Sequence, residues 1–289
     1  MVKPGDELDG RYRLLAEIGE GAYGVVFRAR DLETRGEVAV KVLKQAADAE
    51  LAKRFEREAL AMARLRGTAA IFVHAFGRTR DDAPYIVMEL LRGRDLEAYV
   101  EGSEARGGRL KALKMLELLR PVAATLELAH EQGIVHRDLK PSNVFVIDAE
   151  AGGGVRLMDF GLVKLIGAES LTSAGMVAGT PSYIAPEAWS GDPTRLDHRI
   201  DIYSLGVLVF RLLSGQVPHA TKSMLELCAW ATRGERPSLR ALRKSLPPAI
   251  DAWTLKALAI APADRFQSVR AMWTALESIL GEQAAGAPF

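Results

Sequence analysis

The chain has 289 residues, enough for one large domain or a bilobed one, and its formal net charge of +1 argues against a broad basic surface for nucleic acid. Its single cysteine, Cys228, excludes an internal disulfide framework, fits a reducing compartment and reads as a small core residue. No apolar run reaches the ~18 residues of a membrane-spanning helix, and MVKPGDELDG lacks the apolar centre of a signal peptide, so a soluble, cytoplasmic chain is expected.

Residues 12–18 and 25–30 read as two strands joined by GEGAYG. Gly19, Gly21 and Gly24 let the backbone approach a phosphate where any Cβ would intrude. A strand follows these glycines rather than a helix, which disfavours a dinucleotide-binding fold. VAVKVL at residues 38–43 is a third strand, with Lys41 among β-branched residues. A helix over residues 51–65 follows, its apolar stripe running Leu51, Phe55, Met62, Leu65. Glu58 falls inside that stripe, and a carboxylate there is costly unless paired. Lys41 is the partner expected for it; Glu56 is the competing acid but points off the stripe. Residues 71–76 and 85–90 complete a sheet of five strands.

Residues 110–131 read as a long amphipathic helix that Pro121 should kink or restart. His130 near its end reads as a surface or cap residue. IVHRDLKPSNVFVID at residues 134–148 is dense in charge yet lies between apolar runs, which makes it a polar loop held between buried elements. Its contents suit phosphoryl transfer. Asp138 can accept the proton of an attacking hydroxyl, and Lys140 can neutralise charge on the moving group. Asn143 and Asp159 are hard oxygen ligands of the kind that nucleotide-bound magnesium requires. RIDIYSLGVLVFRLLS at residues 199–214 is apolar on nearly all sides and therefore buried, which leaves Asp201 in need of partners. Residues 223–231, 249–259 and 268–280 supply further helices. Trp189, Trp230, Trp253 and Trp273 read as core aromatics, and GEQAAGAPF as a flexible tail.

HRDLKPSN, the DFG at residues 159–161 and GTPSYIAPE at residues 179–187 together resemble the catalytic domain of a bacterial, eukaryotic-like (Hanks-type) serine/threonine protein kinase. The resemblance runs over roughly residues 12–280. It implies an α+β, bilobed fold: a five-stranded antiparallel sheet plus one helix in residues 1–91, a mainly helical lobe in residues 92–281, and a tail at 282–289. It implies ATP with Mg2+, or Mn2+ in its place, and protein substrates that offer serine or threonine. Lys41 and Glu58 would pair to hold the nucleotide phosphates, and Thr180 would support Asp138 and Lys140. Ile18, Val26 and Ala39 join the glycines in the nucleotide-binding set. Met88 would back the adenine pocket, Glu89 and Leu91 would offer backbone groups to the base, and Asp95 would reach the ribose. His136 would pack beneath Phe160 in a column with Met62 and Val73, Glu187 would be anchored by Arg265, and Asp201 would hold backbone donors of the catalytic loop.

The segment after DFG has little periodicity and many hydroxyl residues, so a single phosphate could order it. Arg137 needs an anionic partner or exposure to water, and the resemblance places Lys164 close to it; a phosphate on Thr172, with Ser173 and then Ser170 behind it, would neutralise the two cations. Phosphorylation in trans would call for a homodimer. Ser142 stands where kinases selecting arginine upstream of the target often carry glutamate, so such selection is not supported there. Two rival readings remain. A binding scaffold without activity predicts loss of Lys41, Glu58, Asp138, Asn143 or Asp159, and all are present. A small-molecule kinase would usually lack GTPSYIAPE. Related kinases often continue into a linker, a membrane helix and a sensor domain, so this chain reads as compatible with an excised catalytic domain.

Overall fold

The computed structural model describes residues 2–21, 24–43, 49–105, 107–160, 181–221 and 223–285. The chain divides into two compact units, Met1–Gly93 and Arg94–Phe289.

The first unit is built on an antiparallel sheet of β1 (Glu7–Leu8), β2 (Tyr12–Glu20), β3 (Gly24–Asp31), β4 (Glu37–Leu43), β5 (Val73–Arg78) and β6 (Pro84–Glu89), in the order β1-β2-β3-β4-β6-β5. The sheet thus has six strands where five were expected. The extra strand is too short to show an alternating pattern. Leu8 is buried on the sheet, while the N–H of Gly5 donates to the carbonyl of Leu14 and the N–H of Leu14 to that of Asp6. Alternation along the strands gives the sheet two faces. One buries Tyr12, Leu14, Phe27, Val40, Tyr85 and Val87 as a core. The other carries Val26, Ala39, Lys41, Ile86 and Met88, which are cross-strand partners: Val26 opposite Lys41, Lys41 opposite Ile86, Ala39 opposite Met88. Helix α1 (Ala49–Arg64) buries Phe55, Ala59 and Met62.

The second unit is mainly helical. It contains α2 (Leu96–Glu104), α3 (Ala112–Glu131), α4 (Arg199–Ser214), α5 (Met224–Arg233), the short α6 (Leu239–Leu242), α7 (Ala249–Ala257) and α8 (Val269–Ala285). A small sheet of order β7-β8-β9 is formed by β7 (Gly93–Asp95), β8 (Val144–Ile147) and β9 (Val155–Leu157). Helix α4 is buried on nearly every side, as its sequence requires. Helix α3 runs through Pro121 as one element, against the expected restart. Pro121 is exposed, and the buried Leu118, Leu119, Val122 and Ala123 hold the turns on both sides of it. Helix α8 extends to Ala285, into the stretch expected to be a flexible tail. Glu282, Gln283, Ala284 and Ala285 are all good helix formers, and no proline or adverse turn signal stops them. Trp253 and Trp273 are buried as expected, whereas Trp230 is half-buried, stacked on His219 at 5.3 Å with the Arg236 guanidinium 4.7 Å from its ring. Cys228 is likewise half-buried rather than in the core. Among the described residues, no helix is long and apolar enough to cross a membrane.

Candidate active site

The polar loop expected to carry the chemistry lies between α3 and β8, and it is held from below by Asp201. That carboxylate, wholly buried in the first turn of α4, accepts the N–H of His136 and the N–H of Arg137, each at 2.8 Å. A third bond, 2.8 Å long, joins it to Nε2 of His130. Burial pushes the Asp201 carboxyl up, but the His130 bond, the two neighbouring imidazoles and the Arg137 N–H outweigh it, so it stays below the ordinary aspartate value. The clamp matters because Arg137 has a φ of 68°, in the left-handed region that non-glycine residues avoid. Such a conformation costs about 1–3 kcal/mol and persists only where surroundings enforce it.

His136 is fully buried, and both ring nitrogens are used. Nε2 lies 3.0 Å from the carbonyl of Met158, and Nδ1 accepts the N–H of Asp138 at 3.3 Å. That pattern fixes a neutral imidazole protonated on Nε2. Burial holds its pKa below the usual histidine value, so it has no proton to trade. Its ring sits 4.7 Å from that of Phe160, the packing expected of this pair. Met62 and Val73, the other expected members of the column, belong to the first unit.

The 3-10 turn Pro141–Asn143 then brings three functional groups together. Nδ2 of Asn143 donates to the carboxylate of Asp138 at 2.9 Å and to its backbone carbonyl at 2.7 Å. Nζ of Lys140 is 3.1 Å from the same carboxylate. With its nitrogen committed to Asp138, the Asn143 amide keeps Oδ1 as a hard oxygen donor. Pairing of β8 with β9, with Val144 opposite Leu157, and the Met158 N–H donated to the Asn143 carbonyl at 2.8 Å, sets Asp159 just beyond this turn. Asp159 is exposed and has a φ of 50°. Two hard oxygen donors, one of them a carboxylate, fit a divalent cation of the magnesium type.

Glu187 and Arg265 meet as expected, in a buried two-pronged pair at 2.8 and 2.6 Å. The remaining guanidinium donors reach the carbonyls of Ala259, Arg199 and Ile260. Ser204 Oγ of α4 donates to the carbonyl of Tyr183 at 2.8 Å, which pins the turn Pro181–Tyr183 to the core.

In the first unit, Lys41 is half-buried on the sheet face with Val26, Ala39 and Met88. The side chain of Glu58 lies outside those described. Its competitor Glu56 is committed elsewhere, to Arg78 of β5 at 2.7 Å. Gly19 and Gly21 have room for a Cβ and no positive φ, so nothing among the described residues demands glycine there; a phosphate approaching the backbone would. At Gly24 a Cβ would lie 2.6 Å from the carbonyl oxygen of Val42, so the sheet alone excludes a side chain. Ile18 is exposed at 51%. Met88, Glu89 and Leu91 are half-buried. The N–H of Glu89 donates to the carbonyl of Phe72 and its carboxylate accepts the N–H of Phe72, so a contact from this residue to a base falls to its carbonyl. Asp95 caps α2, accepting the N–H of Ala98 at 2.8 Å. Thr180, Thr172, Ser173, Ser170 and Lys164 lie outside the described residues.

His130 escaped the sequence reading as a functional neighbour. A signal was present: it falls four residues after Leu126 on the buried side of α3.

The chain is similar to known proteins. The protein kinase domain family model covers residues 12–258. The serine/threonine-protein kinase PknL of Mycobacterium tuberculosis is 37% identical over 280 residues, covering 96% of this chain and 67% of that protein. The serine/threonine-protein kinase pkn3 of Myxococcus xanthus is 36% identical over 93% of this chain, which spans 50% of its length. The crystal structure of the Mycobacterium tuberculosis PknI kinase domain superposes with a TM-score of 0.74 at 30% identity, covering 96% of this chain and 99% of that one. The chain belongs to the protein kinase family, among the bacterial serine/threonine protein kinases.

Proposed function

We infer that Asp138 is the base-like residue of this kinase, that Lys140 and Thr180 support it, and that Asn143 and Asp159 hold Mg2+ on ATP. The observation carrying this reading is the convergence of Lys140 and Asn143 on one Asp138 carboxylate, in a loop clamped by a buried acid. Asp138 orients the substrate hydroxyl and takes its proton as the phosphoryl group moves. Lys140, beside it, offsets charge on that group. When bound, the divalent ion neutralises the nucleotide phosphates. Lys41, paired with Glu58, positions those phosphates beneath Gly19, Gly21 and Gly24. Ile18, Val26, Ala39 and Met88 flank the adenine, the backbone of Glu89 and Leu91 recognises it, and Asp95 reaches the ribose through the carboxylate oxygen that does not cap α2. The chain phosphorylates its own residues 161–179, at Thr172 before Ser173 and Ser170, in trans between two cytoplasmic copies, and Arg137 receives the phosphate.

Radiolabel transfer from ATP to a generic protein substrate tests the assignment. Asp138→Asn and Asp159→Asn should each lower it by about 10³-fold, with Lys41→Met close behind. Transfer that survives both aspartate changes would place the active site elsewhere. Mass spectrometry tests the self-modification: a fully active chain with no phosphate between residues 161 and 179 would overturn it.

A further inference from the structure

Phosphoryl transfer leaves unused a group of cations from two segments of the second unit that meet although 133 residues apart. Arg109 precedes α3, and Arg243 follows the short α6. Each reaches across to the backbone beside the other. Nη1 of Arg109 donates to the carbonyl of Leu242 at 3.1 Å. Nη1 of Arg243 donates to the carbonyl of Leu110 at 2.8 Å and to that of Leu213 at 3.1 Å. These crossed bonds hold two like charges side by side. Arg243 is half-buried, and burial, then the charge of Arg109, lowers its pKa.

Both arginines keep one edge open. Among the described residues, Nε and Nη2 of Arg109 and of Arg243 make no hydrogen bond, and neither side chain makes an ion pair. That edge is the one with which Arg11 grips the Asp31 carboxylate, Nε at 3.1 Å and Nη2 at 2.8 Å. The same two segments carry Lys111, Arg240 and Lys244, all exposed and all without an ion pair among the described residues. Lys114, further along α3, is paired with Glu117 at 2.7 Å. Asp251, the acid bonded to the α6 segment, spends one oxygen on the Ser238 hydroxyl at 2.8 Å and the other on the Arg240 N–H at 2.9 Å.

We propose that Arg109 and Arg243, flanked by Lys111, Arg240 and Lys244, bind the phosphate of a phosphoserine or phosphothreonine in a partner protein. Two open guanidinium edges suit a doubly charged group with three acceptor oxygens, which also removes the repulsion between them. A phosphorylated segment is favoured over a membrane surface because Arg243 is half-buried against the end of α4, whereas Lys111 and Lys244 are exposed. A flat bilayer would meet the lysines and leave the arginine pair unfilled. A kinase that holds an already phosphorylated protein here keeps its remaining hydroxyls at a raised local concentration for further transfer. The site shares no residue with the phosphoryl-transfer groups, so it stands or falls apart from their assignment.

Fluorescence anisotropy on the whole chain tests it, with a labelled peptide carrying one phosphoserine and its unphosphorylated twin. The phosphopeptide should bind about tenfold more tightly, less so as salt is added. Inorganic phosphate should displace it better than chloride at equal ionic strength. Arg109→Gln, at an exposed position, should remove most of the advantage, and Arg109→Gln with Lys111→Gln the rest. Transfer from ATP to a generic unphosphorylated substrate should stay at the parent level in both variants. Arg243→Gln should act like Arg109→Gln, with urea unfolding run beside it because its bonds also tie two segments together. Equal binding of the two peptides overturns the site, as does an advantage that the double variant leaves intact. Retention on vesicles of anionic phospholipid that the double variant loses, without any preference for the phosphopeptide, also overturns it and assigns the cations to a lipid surface.

Discussion

Two clusters of arginine and glutamate in the second unit use the same chemistry to opposite ends. Arg265 is fully buried, meets one glutamate through two short bonds, and spends its remaining donors on three backbone carbonyls. Arg211 meets two glutamates that are 37% and 31% exposed, with a third acid nearby. The first cluster is balanced in charge and saturated in hydrogen bonds, and has nothing left to offer a ligand. The second is neither sealed nor, among the described residues, balanced. Saturation lets the first cluster be sealed in the interior, whereas the second keeps its carboxylates in water.

The largest expected effect breaks the first cluster. Arg265→Met leaves Glu187 buried without its partner, at a cost of about 3–5 kcal/mol. Urea unfolding should show this as a lower midpoint with an unchanged slope. Adding Glu187→Leu should return part of the loss, because two apolar groups need no partners. A single Arg265→Met variant as stable as the parent would mean that the pair does not hold residues 181–187 to the helical core.

A smaller effect comes from another saturated interior group. His136 is held neutral, with its pKa below the ordinary 6.5 because it is buried. A group depressed in this way contributes stability in full above its unfolded value and loses it as pH falls through 6.5 toward the folded value. Stability against urea should therefore fall below about pH 6.5, by at most about 1.4 kcal/mol per pH unit for this residue. His74, in the first unit, leans the same way through burial and adds to the fall. His136→Asn should make the slope shallower, and an unchanged slope would show that the imidazole is already charged in the folded chain.

The saturated regions of the molecule were the legible ones. A carboxylate at Asp201 in an otherwise apolar helix announces a buried partner, and the spacing of HRDLKPSN and DFG carries Asp138, Lys140, Asn143 and Asp159 with it. Glu187 and Arg265, 78 residues apart, could be joined only through the resemblance to kinases. The strand Glu7–Leu8 was invisible because two residues show no period. The continuity of α3 through Pro121 depended on packing that propensity does not contain. Helix α2 was missed because its buried positions are few, Leu96 and Val100, and give little periodicity to read. The interior thus left its mark as residues out of place, whereas the half-open cluster around Arg211 is made of residues that look ordinary on any surface.

The smallest expected effect on stability sharpens the comparison from the other side. Arg211→Met removes the cation that pairs with both Glu97 and Glu104, which are exposed enough to hydrate. Ion pairs of this exposure contribute about 0–1 kcal/mol, so the urea midpoint should barely move, in contrast to Arg265→Met. A drop as large as that of Arg265→Met would instead show that Arg211 is bound into the core as firmly as the buried pair.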